Sequence, residues 1–168
     1  MAKRLLKEHQ EFQREKGQNK DLALVPVDGN LYRWSGWIAG PTGTPYEGGR
    51  FEVEVSVPST YPLYPPTVRF TTKIFHPNVH TTTGEICLDI LKAAWSPVWT
   101  LQATLRAILV LLAHPEPDSP LNCDAGNLLR NGDTRGFRSL AKMYTLLYAS
   151  SPPITATPAG TGPSSRTG

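Results

Sequence analysis

The first pattern along the chain is that of an amphipathic helix. Between residues 2 and 16, apolar residues recur at helical spacing among good helix formers; they are Leu5, Leu6 and Phe12. Acidic residues alternate with cations in the same segment, which is typical of a helix face in contact with solvent; they are Glu8, Glu11 and Glu15. The spacing therefore predicts an N-terminal helix with one apolar face and one charged face.

Four segments with the pattern of β-strands follow this helix. Residues 22–27 and 31–38 flank the turn-forming Asp28-Gly29-Asn30, which predicts a hairpin. Residues 51–57 alternate apolar and polar positions without a break, so one face of that strand is expected to be buried. A fourth short strand is predicted over residues 67–70, after a proline-rich turn.

The second half of the domain has a helical pattern. Thr100 is placed to cap a strongly apolar helix over residues 101–113, and two further helices are predicted over 123–131 and 135–149. Between strands and helices, residues 71–97 show no regular pattern, and a segment of that length inside a compact domain is usually functional. The order of elements predicts an α+β fold.

The last segment differs in composition from the rest of the 168-residue chain. Residues 150–168 consist almost entirely of Pro, Thr, Ser, Gly and Ala, without apolar periodicity. Such a composition cannot bury a core, so a disordered tail is expected. Residues 1–149 are then one domain of ordinary size.

Composition restricts the classes of function. Two cysteines, Cys87 and Cys123, are too few for a disulfide framework, and the four histidines lack zinc-site spacing, so no metal site is expected. No signal peptide is visible at the N-terminus, which favours a reducing cytosolic setting. The longest apolar stretch, residues 101–113, is too short to span a bilayer. If the protein works at a membrane, a partner must hold it there.

The net charge of +3 is unevenly distributed. Cations crowd the N-terminal segment; they are Lys3, Arg4, Lys7, Arg14, Lys16 and Lys20. A nucleic-acid interface would also need a stripe of aromatic residues or a reading helix, and the sequence shows neither. Nucleic acid is therefore not an expected partner, whereas a docking face for an acidic protein remains open.

Candidate chemistry centres on Cys87. This thiol follows a loop that carries the side-chain amide of Asn78 and precedes an apolar anchor. A thiol needs little activation to act as a nucleophile, and a nearby amide can stabilise an oxyanion. A free cysteine is, however, often only a small buried apolar residue, and that alternative stays open.

Taken in order, five motifs resemble those of ubiquitin-conjugating enzymes over residues 1–149. They are Tyr61-Pro62-x-x-Pro65-Pro66, Phe75-His76-Pro77-Asn78, Gly84-Glu85-Ile86-Cys87-Leu88-Asp89-Ile90-Leu91, Trp95-Ser96-Pro97 and Pro117-Asp118-Ser119-Pro120-Leu121. The resemblance implies the fold of that family: an N-terminal helix, a four-stranded antiparallel meander sheet and C-terminal helices. Residues 83–92, 113–122 and 126–130 further resemble the peroxin branch of the family, which acts at the peroxisomal membrane in recycling import receptors.

The resemblance also implies a reaction. Cys87 would accept the C-terminus of ubiquitin as a thioester from the activating enzyme, which consumes ATP upstream, so no cofactor is expected. Asn78 would organise the loop or stabilise the oxyanion during transfer. His76 and Pro77 are expected to be structural. A Cys–His protease pair is the weaker alternative because papain-type signatures are absent.

Two residues fall where the family places a gate over the cysteine. Asp118 would orient an incoming lysine and lower its pKa. Ser119 stands where many relatives have aspartate, which prompts the hypothesis that the acceptor is partly a cysteine, whose thiolate needs little help with deprotonation. The alternative is that Ser119 serves as well as aspartate.

The resemblance implies three kinds of docking surface. The helix residues Lys3, Arg4 and Lys7 would meet the activating enzyme, and the loop residues Leu63, Pro97 and Val98 would meet RING-type ligases. A peroxisomal anchor protein would recruit the chain from the cytosol to the cytosolic face of that membrane. Three alternatives remain: an inactive scaffold, a carrier of a ubiquitin-like modifier, and a general cytosolic enzyme of the same family.

Overall fold

A computed structural model describes residues 2–87 and 89–150 of the chain. Except for its first residue, the predicted tail lies outside the described residues. The elements are α1 (Ala2–Glu15), β1 (Leu22–Val27), β2 (Asn30–Ala39), β3 (Arg50–Ser56), β4 (Thr67–Phe70), α2 (Asp89–Lys92), α3 (Leu101–Ala113), α4 (Cys123–Arg130) and α5 (Thr134–Tyr148). This is the predicted α+β order of a helix, four strands and C-terminal helices.

The four strands form one antiparallel meander in the order β1-β2-β3-β4. The first hairpin turns at Asp28 and Gly29, both with positive φ (51° and 72°), a conformation that suits the twist of two paired strands. On β3 the expected alternation is confirmed, because Phe51, Val53 and Val55 are buried while the residues between them are partly exposed.

Helix α3 contributes one side of the core. Its buried residues recur at helical spacing along one face: Leu101, Thr104, Leu105, Ile108 and Leu112. Burial of each leucine or isoleucine contributes roughly 1.5–3 kcal/mol. The helix begins as predicted, because the Thr100 hydroxyl oxygen accepts a hydrogen bond from the Ala103 N–H at 3.0 Å.

The structure differs from the sequence-based expectation at α2 and at Glu8. The irregular segment contains the single-turn helix α2, which is too short to give a periodic signal. Glu8 does not lie on the solvent face of α1; it is 3% exposed and shares the buried face with Leu5 and Phe12. Its position three residues after Leu5 and four before Phe12 places it inward, whatever its charge.

Candidate active site

Cys87 is half-buried and lines a groove of about 250 Å³. Apolar residues form much of the wall, and Lys92 and Glu85 also line it; the apolar ones are Pro65, Pro66, Val68, Ile86 and Leu121. The Cys87 N–H donates to the carbonyl oxygen of Asn78 at 2.8 Å. The position of the thiol in a groove agrees better with an accessible nucleophile than with a fully buried apolar residue. The other cysteine, Cys123, is exposed at the start of α4.

Gly84 attaches the cysteine-bearing segment to the sheet. Its carbonyl oxygen accepts from the Phe70 N–H at 2.8 Å, and its own N–H donates to the His80 carbonyl at 3.0 Å. The backbone has φ +73°, and a Cβ here would lie 1.8 Å from the Phe70 carbonyl oxygen. Only glycine meets both conditions, so the path of the chain towards Cys87 depends on this residue.

His76 is fully buried, and its ring lies between the backbone of α3 and the backbone of its own loop. Its Nε2 donates to the Leu111 carbonyl at 3.0 Å, and its Nδ1 accepts from the Asn78 N–H at 3.0 Å. Burial lowers the pKa of His76 to about 4, so the ring is neutral near pH 7. Both ring nitrogens have backbone partners, which supports the predicted structural role and not a Cys–His pair.

The Asn78 side chain holds the segment that carries Asp118 and Ser119. Its Oδ1 accepts from the Glu116 N–H at 2.8 Å, and its Nδ2 donates to the carbonyl oxygens of Glu116 (2.8 Å) and Ser119 (3.4 Å). The amide is buried, and all these partners are backbone atoms of the following loop. Asn78 was predicted either to organise the loop or to stabilise an oxyanion, and these hydrogen bonds correspond to the first role.

Pro77 strengthens the same attachment. Its carbonyl oxygen accepts from the N–H groups of Leu121 and Asn122, at 2.8 and 3.0 Å. The loop from Pro115 to Leu121 is therefore held at both ends by the His76-Pro77-Asn78 segment. Asp118 and Ser119 lie between these anchor points with exposed side chains.

The three predicted ligase-facing residues lie at two exposed loop tips. Leu63 is 68% exposed and Val98 is 84% exposed, with Pro97 exposed beside it. The two loops are joined, because the Trp95 indole N–H donates to the Pro62 carbonyl oxygen at 2.9 Å. Outward-facing apolar side chains on two connected loops are the expected features of a protein-binding site.

The three predicted cations of α1 are not equivalent. Lys3 and Lys7 are exposed. The Arg4 guanidinium instead turns inward, where Nε donates to Glu8 at 2.7 Å and Nη2 donates to the Trp99 carbonyl oxygen at 2.8 Å. The Arg4 guanidinium therefore links α1 to the loop before α3, and its docking role stays a prediction.

Glu8 and the Tyr61 hydroxyl form a buried contact that the sequence did not predict. Tyr61 is buried, and its hydroxyl donates to Glu8 Oε1 at 2.6 Å. One signal was available: a glutamate at an apolar-face position of an amphipathic helix needs buried partners. The identity of those partners has no signature in the sequence.

Across residues 2–87 and 89–150, no three histidine, cysteine or acidic side chains come together as metal ligands would. Over the same part of the chain, no helix combines the length and apolar character needed to cross a membrane.

Comparison with known proteins agrees with this geometry. The family model described as "Ubiquitin-conjugating enzyme" matches residues 4–145. "Protein PEROXIN-4" of Arabidopsis thaliana is 65% identical over 146 residues, covering 87% of this chain and 93% of that protein. "Ubiquitin-conjugating enzyme E2 pex4" of Dictyostelium discoideum is 59% identical over 149 residues, covering 88% and 99%.

A solved structure is also similar. The H. polymorpha ubiquitin conjugating enzyme Pex4p, crystallised in complex with the soluble domain of Pex22p, superimposes with a TM-score of 0.85 at 39% sequence identity. The match covers 89% of this chain and 98% of Pex4p. The chain therefore belongs to the ubiquitin-conjugating enzyme family, and its high-identity relatives include proteins named peroxin-4.

Proposed function

We propose that Cys87 accepts ubiquitin as a thioester from the activating enzyme and passes it, with a RING-type ligase, to a target protein. The observation that carries the assignment is the half-buried Cys87 thiol in a groove, joined through its N–H to Asn78. A thiolate attacks the thioester of the activating enzyme, whose cysteine leaves. The Cys87 thiolate leaves in turn when the acceptor attacks. The chain uses no cofactor in this scheme, since ATP is consumed upstream.

A charging experiment tests this proposal. The full chain is mixed with activating enzyme, ubiquitin and ATP, beside Cys87→Ser and Cys123→Ser, and run on gels with and without reductant. We expect a reductant-labile product of one added ubiquitin that Cys123→Ser retains. Cys87→Ser abolishes the labile product, because an oxygen ester resists reductant. Absence of the product with a control enzyme charging normally would favour an inactive scaffold or another modifier.

Asp118 and Ser119 are proposed to receive the acceptor. Asn78 and Pro77 hold the loop on either side of them, and their exposed side chains are available to an incoming nucleophile. A serine at position 119 is a poorer proton acceptor for an incoming ammonium than aspartate would be, so a cysteine acceptor, whose thiol ionises more easily, becomes competitive with lysine.

The acceptor preference is measured by discharging the Cys87 thioester to Nα-acetyl-lysine and to N-acetylcysteine. Ser119→Asp is expected to raise the rate with lysine relative to the rate with cysteine, and Ser119→Ala is the control for loss of the hydroxyl. An unchanged ratio in Ser119→Asp would contradict the hypothesis and leave serine equivalent to aspartate at this position.

Docking of the activating enzyme is proposed for Lys3 and Lys7, with Arg4 in a secondary role because its guanidinium is engaged internally. Charge pairing at exposed lysines raises association rates more than affinity. RING-type ligases are proposed to bind the tips formed by Leu63, Pro97 and Val98.

The comparisons support a peroxisomal setting, in which the chain would modify import receptors for recycling and an anchor protein would hold it at the membrane. The relative Pex4p was crystallised with a protein partner.

In this chain, α5 offers a surface to which an anchor protein could bind. Met143, Leu146 and Leu147 line an open groove of about 1270 Å³, and the two leucines are 60% and 64% exposed. Cations also line this groove, namely Arg135, Arg138 and Lys142, so the anchor protein is expected to be apolar at its centre and acidic at its edge.

Localisation of fluorescent fusions tests the anchor. Leu146→Asp is expected to lose peroxisomal association while charging normally, because a carboxylate would replace an apolar side chain at the centre of the interface and would have to be desolvated there. Val25→Asp, a similarly exposed apolar position on β1, should keep both properties. Retained association in Leu146→Asp would exclude the groove. A diffuse wild-type protein would support the general cytosolic alternative.

A further inference from the structure

A buried carboxylate connects α1 to both ligase-facing loops. Glu8 Oε1 accepts from Arg4 Nε at 2.7 Å and from the Tyr61 hydroxyl at 2.6 Å, and Oε2 accepts from the Leu101 N–H at 2.8 Å. Arg4 also donates to the Trp99 carbonyl oxygen at 2.8 Å. We call this set the Glu8 cluster: Arg4, Glu8, Tyr61, the Trp99 carbonyl and the Leu101 N–H.

The cluster borders both apolar tips. Tyr61 lies two residues before Leu63, and Trp99 directly follows Val98. The aromatic rings of Tyr61 and Trp95 are 6.0 Å apart, and Trp95 bonds to Pro62. Each tip is therefore exposed, but the backbone beside it is fixed to the same buried carboxylate.

We propose that Glu8 and Tyr61 are positioning residues for ligase-stimulated transfer: they hold the Leu63 tip and the Val98 tip in a fixed relation, so that a ligase meets a preformed surface. This inference rests on the proposed ligase surface. Neither residue contacts the ligase; both act through the loop backbones.

The physical basis is the order that the cluster imposes before binding. Without it, two exposed loops would have to be ordered by the ligase, and the loss of conformational entropy would weaken the affinity. An anion inside the protein also tolerates little movement of its donors, because each lost hydrogen bond leaves buried charge uncompensated. The cluster is therefore well suited to fix the distance between the tips.

The test separates ligase affinity from chemistry. The probe is a RING domain chosen because it accelerates lysine discharge by the wild-type thioester. Tyr61→Phe removes only the hydroxyl, and Glu8→Gln removes the charge and replaces one of the two acceptor oxygens by an NH2 group. We expect each to raise the half-maximal RING concentration about 10-fold, equal to about 1.4 kcal/mol, with unassisted discharge unchanged. The double variant should be less than additive, because both changes act on one cluster.

Two controls keep the outcome decisive. Tyr64→Phe removes an exposed hydroxyl from the same loop, and Ile38→Val lowers stability in β2 without touching the cluster. If the half-maximal concentration follows stability in all four variants, the cluster is only structural and the proposal is overturned. If Leu63→Ala and Val98→Ala weaken the ligase response but Tyr61→Phe and Glu8→Gln do not, the positioning role alone fails. If Leu63→Ala and Val98→Ala have no effect, the ligase surface itself is wrong and the inference fails with it.

Discussion

His76 shows how a single buried residue can organise a candidate active site through backbone contacts alone. Its neutral ring donates to the Leu111 carbonyl oxygen and accepts from the Asn78 N–H. Only one tautomer, with the proton on Nε2, satisfies both partners. A protonated ring would turn Nδ1 into a donor facing the Asn78 N–H, so the attachment of the loop requires the neutral form.

The first prediction concerns pH. Burial lowers the pKa of His76 to about 4 from an unfolded value of 6.5, so the unfolded chain binds the extra proton first. The contribution of the neutral His76 ring to the free energy of unfolding is complete above pH 6.5 and falls as the pH drops towards 4. Between pH 7 and 5 the free energy of unfolding should fall by about 2 kcal/mol for this reason. Urea unfolding at several pH values measures the total slope.

The share due to His76 is isolated with variants and by NMR. In His76→Gln, the free energy of unfolding should no longer show the extra decrease between pH 7 and 5. His114→Gln, at an exposed position, should keep that decrease. Because His76→Gln is itself expected to be less stable, the imidazole shifts of the wild type provide a second measurement. A His76 ring that titrates near pH 6.5 would contradict the prediction.

The second prediction concerns Asn78 and separates its two proposed roles. In Asn78→Asp, one carboxylate oxygen can still accept from the Glu116 N–H, but the other would face the carbonyl oxygens that Nδ2 now contacts. We expect the free energy of unfolding to fall by about 2 kcal/mol or more. Asn30→Asp, whose exposed oxygen bonds the Tyr32 N–H, is the matched control.

Chemical unfolding of both variants measures the difference. Equal stability of Asn78→Asp and Asn30→Asp would show that the loop does not depend on this amide. Stabilisation of the oxyanion would then be its main function. A large difference would confirm loop organisation.

At the scale of elements, α1 has two faces with different tasks. Leu5, Glu8 and Phe12 face inward, while Lys3 and Lys7 face solvent. The periodicity alone places Glu8 inward, but composition suggested a solvated charge, since carboxylates are rarely buried unless paired. The partners that resolve this conflict are 53 and 93 residues distant in the chain.

The third prediction tests the junction between β4 and the cysteine-bearing segment. Gly84→Ala would strain a backbone at φ +73° and drive a methyl group against the Phe70 carbonyl oxygen. We expect a loss of at least about 2 kcal/mol in unfolding free energy and slower charging, because the segment must move. Thermal unfolding and charging rates measure the two effects.

Gly43 provides the matched control. It has φ +80°, but nothing lies within 4 Å of a Cβ there. Gly43→Ala should therefore show the backbone strain alone, of about 1 kcal/mol, with normal charging. If Gly84→Ala behaves identically, the close approach to Phe70 is not important for positioning Cys87.

At the scale of the whole molecule, the described surface divides by chemistry. The α1 lysines form a positive region, the tips at Leu63 and Val98 are apolar, and α5 carries an apolar groove with cations. Different chemistry on each surface allows different classes of partner to be distinguished on one small domain.

The fourth prediction follows from the positive region. Reversing Lys3 and Lys7 to Glu should slow charging about 10-fold at low ionic strength, and the deficit should shrink in about 0.5 M salt, where screening shortens the range of charge interactions. Initial charging rates at several salt concentrations provide the measurement. Reversal of two other exposed cations, Arg33 and Arg130, changes the net charge equally. An equal deficit in that control would attribute the effect to net charge and not to α1.

Local patterns in the sequence predicted the order of elements and singled out Cys87 as the candidate nucleophile. Strands β1 and β4 and helix α3 have the predicted bounds, because their apolar periodicity is set by local backbone geometry. The motif around Cys87 indicated a candidate nucleophile because nucleophilic chemistry needs few residue types at short spacing, whereas the reaction itself was implied by the resemblance to a family.

The pairing of groups that are far apart in the sequence depends on the tertiary structure. The contacts of Asn78 with Glu116, of His76 with Leu111 and of Glu8 with Tyr61 join segments that no local pattern relates. The same holds for the inward turn of Arg4 and for the apolar groove on α5, whose helix was predicted but whose second apolar face was not. Periodicity specifies which face of an element is buried, whereas the partner of a buried polar group depends on how the elements pack.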